Sequence, residues 1–287
     1  MNLNYEFLSD KTVESVIPNL KKYGITVIPS YLSAEVVSKL NVEFQKSLNE
    51  QTESIYSKNN HPTNIKGMAA RLNPGTGKSN FEFPAITSTF QDQFMREIVE
   101  LYYKPHQYSF NESIFITNEF ECERQILPWH FDRVQSLKFW FNLTDTTIKN
   151  GAMEYCPGTH WEGRYRAGFH LSQGVGIEDI PNDIEEELIH NPVSIELNAG
   201  DLMIFDSDGF HRGGIVGIGG ERRVLRAHTY PNGRRYGDMV LSAGWWLKGP
   251  LNINKWFKSS STRVVGDRVK ETTINRKKHV ISKPAAD

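Results

Sequence analysis

Cysteine is scarce in this chain of 287 residues: there are two, Cys122 and Cys156. Two cysteines cannot build a disulfide framework or a four-thiolate zinc site, and they read as reduced, partly buried thiols of a cytoplasmic protein. Charge of one sign is missing too. Lys plus Arg number 33 and Asp plus Glu 34, a formal net charge of −1. That balance gives no footprint for nucleic acid or an anionic membrane surface. No apolar run is long enough to span a bilayer. The polar start MNLNYEFLSDKTVE lacks the basic and apolar segments of a secretory signal. Internal repeats and low-complexity blocks are absent. The expected partner is therefore a small molecule, with the oligomeric state left open.

What is present suits a folded catalytic domain. Hydrophobic residues at 38% can fill a core, and aromatic residues at 11% suit a sheet-rich interior or an aromatic-lined pocket. Residues 10–22 carry Val13, Val16, Ile17 and Leu20 at helical spacing, and Gly24 stops that helix. ITVIPSYL (25–32) reads as a strand. Ser33 can cap a helix whose stripe is Val36, Leu40, Phe44 and Leu48. Residues 50–85, with Gly67, Pro74, Gly75, Gly77 and Pro84, read as a long loop or lid. A helix returns over 90–103. From 110 onwards the pattern turns to short strands: 113–117, 136–143, 193–197, 201–205 and 223–230, separated by KNG, PGT and NAGD turns. Helices first and short strands after predict a β-sandwich or barrel decorated by N-terminal helices. The expected layout is one domain over 1–257, with a helical part at 1–108 and a β core at about 110–250. Residues 258–287 carry eight basic and three acidic residues with little apolar pattern and read as a basic tail.

The chemistry-bearing segment is LPWHFDR. His130 and Asp132 are two apart, so on a strand both side chains leave the same face. A second imidazole would complete one face of an octahedron. Two His and one carboxylate leave three open positions, the arrangement of non-haem iron(II) sites that bind a cosubstrate and oxygen together. His211, in the glycine-rich FDSDGFHRGG after the strand DLMIF, is the candidate third ligand. Spacing alone leaves His106, His160, His170, His190 and His228 open. Eleven residues beyond His211 stands Arg222, beside Arg223; an Arg fork suits the carboxylate of a cosubstrate. Along RRVLRAHTY, one face carries Arg222, Val224, Arg226 and His228 and the other Arg223, Leu225, Ala227 and Thr229. Periodicity does not say which looks inward. Arg133, Arg164, Arg166, His170, Arg226 and His228 are candidates for holding an anionic substrate, and Trp245 and Trp246 for closing the pocket.

These residues resemble the phytanoyl-CoA dioxygenase family of iron(II)- and 2-oxoglutarate-dependent oxygenases. The opening KYGITVIPSYLSAEVVSKLNVEF, the HFD triplet, NGAMEYCPGTH (150–160) and LNAGDLMIFDSDGFHRGG occur in that family's order, and Arg222 stands at its usual distance after the distal His. The resemblance implies a double-stranded β-helix (jelly roll, cupin-like) with the metal at its open end. It implies iron(II) bound by His130, Asp132 and His211. It also implies that Arg222 holds the distal carboxylate of 2-oxoglutarate, with Trp140 and Thr117 lining that pocket. The chain departs from the pattern in two places. Arg212 follows the distal His where the family has a small residue, and IVGIGG lacks the usual Asn.

The implied reaction is hydroxylation of a small organic metabolite by dioxygen, with 2-oxoglutarate decarboxylated to succinate and carbon dioxide. Two other classes fit a jelly roll with a metal site. One is a non-catalytic sensor of metal or 2-oxo acid, which a missing ligand or missing Arg would favour. The other is a metal-dependent hydrolase or isomerase, which a general base beside the metal motif would favour. Trp129 and Arg133 flank HFD, and neither is such a base.

Overall fold

The computed structural model describes residues 4–50, 67–72, 81–122 and 127–231. Helix α1 (Val13–Tyr23) begins where the Thr12 side chain accepts the Ser15 amide. It ends where Gly24, at φ 72°, turns left-handed and donates its N–H to the Leu20 carbonyl, a conformation glycine adopts without a Cβ penalty. Strand β1 (Ile25–Ile28) follows. It is shorter than the expected 25–32 because Ser30 turns at φ 52° and donates its amide to Asp201. Helix α2 (Ala34–Glu50) buries Leu40, Phe44 and Leu48.

The segment expected as an irregular loop is partly regular. Strand β2 (Gly67–Leu72) lies within it and extends the sheet edge against β3 (Tyr108–Phe120). A short helix α3 (Pro84–Thr89) opens with proline in its first turn. Gly, Ala and Met give β2 no alternating signature, so pairing with its neighbour makes the strand. Residues 51–66 and 73–80 lie outside the described residues, as do Trp245, Trp246, the expected end of the β core and the 258–287 tail. Helix α4 (Gln93–Tyr103) is capped by Asp92, which accepts the Phe94 amide.

The remaining strands are β4 (Leu137–Asn142), β5 (Met153–Tyr155), β6 (Val193–Ile195), β7 (Leu202–Asp206), β8 (His211–Arg212) and β9 (Glu221–Pro231). They form two sheets, ordered β1-β7-β4-β9-β3-β2 and β6-β5-β8. Residue 130 adds to the second sheet by bridging to 211. Every ladder between the described strands is antiparallel, and the two sheets make the expected jelly roll with helices against the larger one.

The larger sheet is covered on both faces, which explains its unbroken apolar look. Leu137, Phe139, Phe141, Leu202, Ile204, Leu225 and Ala227 join the core shared with α1, α2 and α4. Trp140, Met203, Phe205 and Val224 join Met153, Tyr155 and Ile195 of the smaller sheet. By the two-residue period, the inner face therefore also receives Lys138, Asn142, Arg222, Arg226 and His228. The stretch after PGT, which carries the candidate anion-binding residues Arg164, Arg166 and His170, is helix α5 (His160–Ser172). It packs through Ala167 with Trp129, Phe131, Cys156 and Phe210.

Candidate metal centre

His130 and His211 face each other across one antiparallel bridge. His130 donates its amide to the His211 carbonyl at 3.1 Å, and His211 returns the bond at 2.8 Å. A mutually bonded pair sends both side chains out on one face, and the ring centroids lie 4.5 Å apart. Asp132, two residues on, joins them and is anchored by its amide on the Ser207 carbonyl at 2.8 Å. Its Oδ1 lies 3.9 Å from His130 Nε2 and 3.7 Å from His211 Nε2. One donor atom from each of the three lies within 4.8 Å of the others, close enough to hold a metal ion.

The rings are oriented for that use. His130 Nδ1 sits 2.9 Å from the Pro128 carbonyl and His211 Nδ1 2.7 Å from the Gly209 carbonyl. A carbonyl only accepts, so each Nδ1 carries the proton and each Nε2 keeps its lone pair. Burial lowers both imidazoles below their usual range, His211 to about 3, with His130 and Lys138 pushing it further. Burial opposes the Asp132 anion, but Lys138, His211 and His130 hold its carboxyl well below the usual range. Two neutral imidazoles and one carboxylate are the donor set that suits iron(II).

Backbone geometry behind the site is tight. A Cβ at Gly209 would fall 1.9 Å from the Tyr155 hydroxyl, so only glycine lets the carbonyl that orients His211 sit there. The DSDG turn is tied down by charge. Arg164 pairs with Asp206 and, at 3.0 Å, with Asp208. Asp206 also accepts Tyr102 at 2.5 Å and Gln135 at 3.3 Å.

The structure decides which face of β9 looks inward. Arg222, 2% exposed, lies on the Val224 face between the sheets; its Nε and Nη2 bond Glu119 and its Nη1 the Gly151 carbonyl. Gly213, two residues past His211, would place a Cβ 3.3 Å from Arg222 Nη2. Arg223 instead faces α2, meeting Asn41 and the Phe44 ring. Thr117 and Trp140 also lie on the inner face, both around Arg226: Thr117 accepts from Arg226 Nη1 at 3.2 Å, and the guanidinium is 5.5 Å from the Trp140 ring.

Other expectations are corrected. Arg164 is committed to Asp206 and Asp208 and Arg166 to Glu162, so both act as buried internal ion pairs. Among the described residues, His106, His160, His170, His190 and His228 stay out of the metal cluster. Arg133 is exposed and bonds the Ile180 carbonyl at 2.9 Å. Arg212, which stands after the distal His where the family has a small residue, is bridged to Glu154 and Glu186 and lies over the Trp129 ring. Two features escaped the sequence reading: the Arg164 cluster and Lys138, whose Nζ lies 2.7 Å from Asp132 Oδ2. A lone lysine inside the apolar LKFWFN was the available signal for the latter.

A jelly roll presenting two imidazoles and a carboxylate is the arrangement expected of metal- and 2-oxoglutarate-dependent oxygenases. The chain belongs to the phytanoyl-CoA dioxygenase family, whose model its residues 20–223 match. Iron(II), 2-oxoglutarate and dioxygen, the set expected from sequence, are the cofactors of that family. The fold is shared with solved enzymes. The 2-oxoglutarate-dependent carbocyclase SnoK of nogalamycin biosynthesis is 17% identical at a TM-score of 0.57, covering 81% of this chain and 93% of its own. The epimerase SnoN of the same biosynthesis is 16% identical at 0.52, covering 76% and 82%. HygX of Streptomyces hygroscopicus, solved with nickel, 2-oxoglutarate and hygromycin B, is 12% identical at 0.50, covering 75% and 85%. No curated protein sequence matches this chain.

Proposed function

We propose that this protein is an iron(II)- and 2-oxoglutarate-dependent dioxygenase that hydroxylates a small organic metabolite, releasing succinate and carbon dioxide. The observation that carries the reading is the cluster of His130, Asp132 and His211, with both Nδ1 atoms turned to backbone carbonyls. These three side chains would hold iron, which when bound supplies the oxidative decarboxylation of 2-oxoglutarate and the oxidation of substrate. The chain itself positions and shields. Arg222 receives the distal carboxylate of 2-oxoglutarate: its guanidinium is buried on the inner face, held by Glu119 at Nε and Nη2 and by the Gly151 carbonyl at Nη1, and each terminal nitrogen carries a second N–H for another acceptor. Thr117 and Trp140 line the same inner face. Trp140, Met203, Phe205 and Tyr155 fill the space between the sheets and keep bulk water from the reacting end.

Hydroxylation is the outcome proposed here, since oxygen transfer to the substrate carbon that lost hydrogen is the shortest route. The epimerase and carbocyclase named above reach other outcomes on this fold, so product composition separates them. Hydroxylation adds one oxygen atom, epimerisation changes nothing, and ring closure removes two hydrogens. The test of the core reading is succinate formation from 2-oxoglutarate. It should require added iron(II) and oxygen and stop when a chelator is present; succinate formed without iron would refute it.

The catalytic unit is proposed to be a single domain over 1–257. No described helix is long and apolar enough to cross a membrane. Both cysteines are unbridged and buried, and burial pushes the Cys156 thiol up to about 12, away from nucleophilic use. Unbridged thiols support a cytoplasmic location.

A further inference from the structure

A carboxylate can bind a metal through one oxygen or two, and the difference decides how many positions remain for other ligands. Asp132 presents its oxygens unequally. Oδ1 faces both imidazoles, while Oδ2 meets the ammonium of Lys138 at 2.7 Å. Lys138 is held there by the fold. It stands on the inner face of β4, its side chain 10% exposed, with Nζ 5.5 Å from the centre of the Phe205 ring. On its neighbouring strands it is paired with Phe205 and His228.

We infer that Lys138 is a positioning residue that restricts Asp132 to coordination through Oδ1 and so keeps three metal positions open. The inference rests on the proposed role of His130, Asp132 and His211 as ligands. A charge-assisted hydrogen bond occupies Oδ2, and using that oxygen as a ligand would break the bond and bring a divalent ion up to an ammonium group. Three open positions are what a chelating 2-oxo acid and oxygen need together. Without the lysine, the bond that holds Oδ2 away from the metal is lost, and binding through both oxygens would take one position for the protein itself.

The experiment uses the full chain loaded anaerobically with manganese(II), and water-proton relaxation counts the exchangeable waters on the ion. The wild type should show about three and Lys138→Met about two, the arithmetic of a six-coordinate ion with three or four protein donor atoms. Iron(II)-loaded Lys138→Met should bind 2-oxoglutarate about 10- to 100-fold more weakly, while Lys138→Arg, which keeps a cationic donor for Oδ2, recovers most of the affinity. The loss should be equal for 2-oxobutyrate, which chelates identically but has no distal carboxylate. Loss confined to 2-oxoglutarate would make Lys138 a direct carboxylate contact and overturn the inference. An unchanged water count would overturn it as well, as would failure of the folded variant to retain metal, since the lysine would then hold Asp132 in place without limiting it. If Lys138→Met does not fold, Lys138→Gln, whose neutral amide grips Oδ2 less firmly, carries the same outcomes. A wild type that binds no metal refutes instead the proposed function.

Discussion

Two clusters of charge lie on opposite sides of the turn at residues 206–211. Behind it, Arg164 meets Asp206 and Asp208, with Tyr102 and Gln135 adding donors; both aspartates are fully buried. In front of it, Asp132 meets Lys138, and two imidazoles turn their Nε2 lone pairs towards Asp132 Oδ1. The rear cluster is closed: among the described residues its cation, Arg164, is paired with both Asp206 and Asp208. In the front cluster one donor atom from each of His130, Asp132 and His211 lies within 4.8 Å of the others, an arrangement that can hold a metal ion. Buried charge paired within the chain makes a scaffold, and metal-ligating atoms that converge on one point make a candidate site. The turn connects the two, since the rear cluster fixes the backbone from which Gly209 orients His211.

Substitution should separate the clusters. The largest effect belongs to the front one. Asp132→Ala removes the only anionic donor of the triad, and succinate formation should fall below detection while the unfolding midpoint moves less than for the rear variant described next. Full turnover by this variant would end the assignment. In the rear cluster, Arg164→Met leaves two buried carboxylates without their cation and should cost about 3–5 kcal/mol of stability, read from the denaturant midpoint. If Arg164→Met instead keeps its stability and loses only turnover, the scaffold and the site have been assigned the wrong way round.

Arg222 shares features of both clusters, being buried and ion-paired yet on the inner face of β9. Arg222→Ala should weaken 2-oxoglutarate by on the order of 2–4 kcal/mol, seen as a large rise in its KM. Arg223→Ala, on the helix side of the same strand, should leave that KM within about twofold, since a half-exposed pair contributes little. A rise for Arg223→Ala alone would move the anion site to the other face, against the geometry.

The front cluster was legible from sequence and the rear one was not, for a physical reason. His130 and Asp132 are two apart on one extended segment, so strand geometry alone puts them together. His211 completes the set through the glycine-rich turn and the family's order of motifs. Arg164 and Asp206 are 42 positions apart, and their pairing depends on α5 folding back over the turn. A run of arginines after PGTH looks in sequence like substrate-binding charge when it is internal support. The same limit applied to β2, whose residues carry no alternation and become a strand by pairing with β3. It applied to β9 as well, where period two sorted the residues into two faces but only packing against the helices showed which was inner.

The smallest effect concerns a histidine that belongs to neither cluster. His160 is fully buried at the start of α5, its ring packed where a Cβ on Gly24 would collide with it. Burial lowers its pKa from 6.5 to about 4, an effect that the nearby Asp206 opposes and Arg164 reinforces. The folded protein therefore holds His160 neutral where the unfolded chain would protonate it. Between about pH 6.5 and pH 4 the unfolded state binds the extra proton, so stability rises with pH across that window. The His160 contribution is complete above pH 6.5 and is lost as the pH falls through the window to about 4. The loss amounts to about 1 kcal/mol near pH 6. His130 and His211 are shifted in the same direction, so the wild-type slope contains all three. The difference between wild type and His160→Gln isolates the one. Denaturant midpoints of metal-free protein at pH 7.5 and pH 5.5 should converge in the variant relative to the wild type, and equal slopes for the two proteins would show that His160 takes up its proton without unfolding the chain.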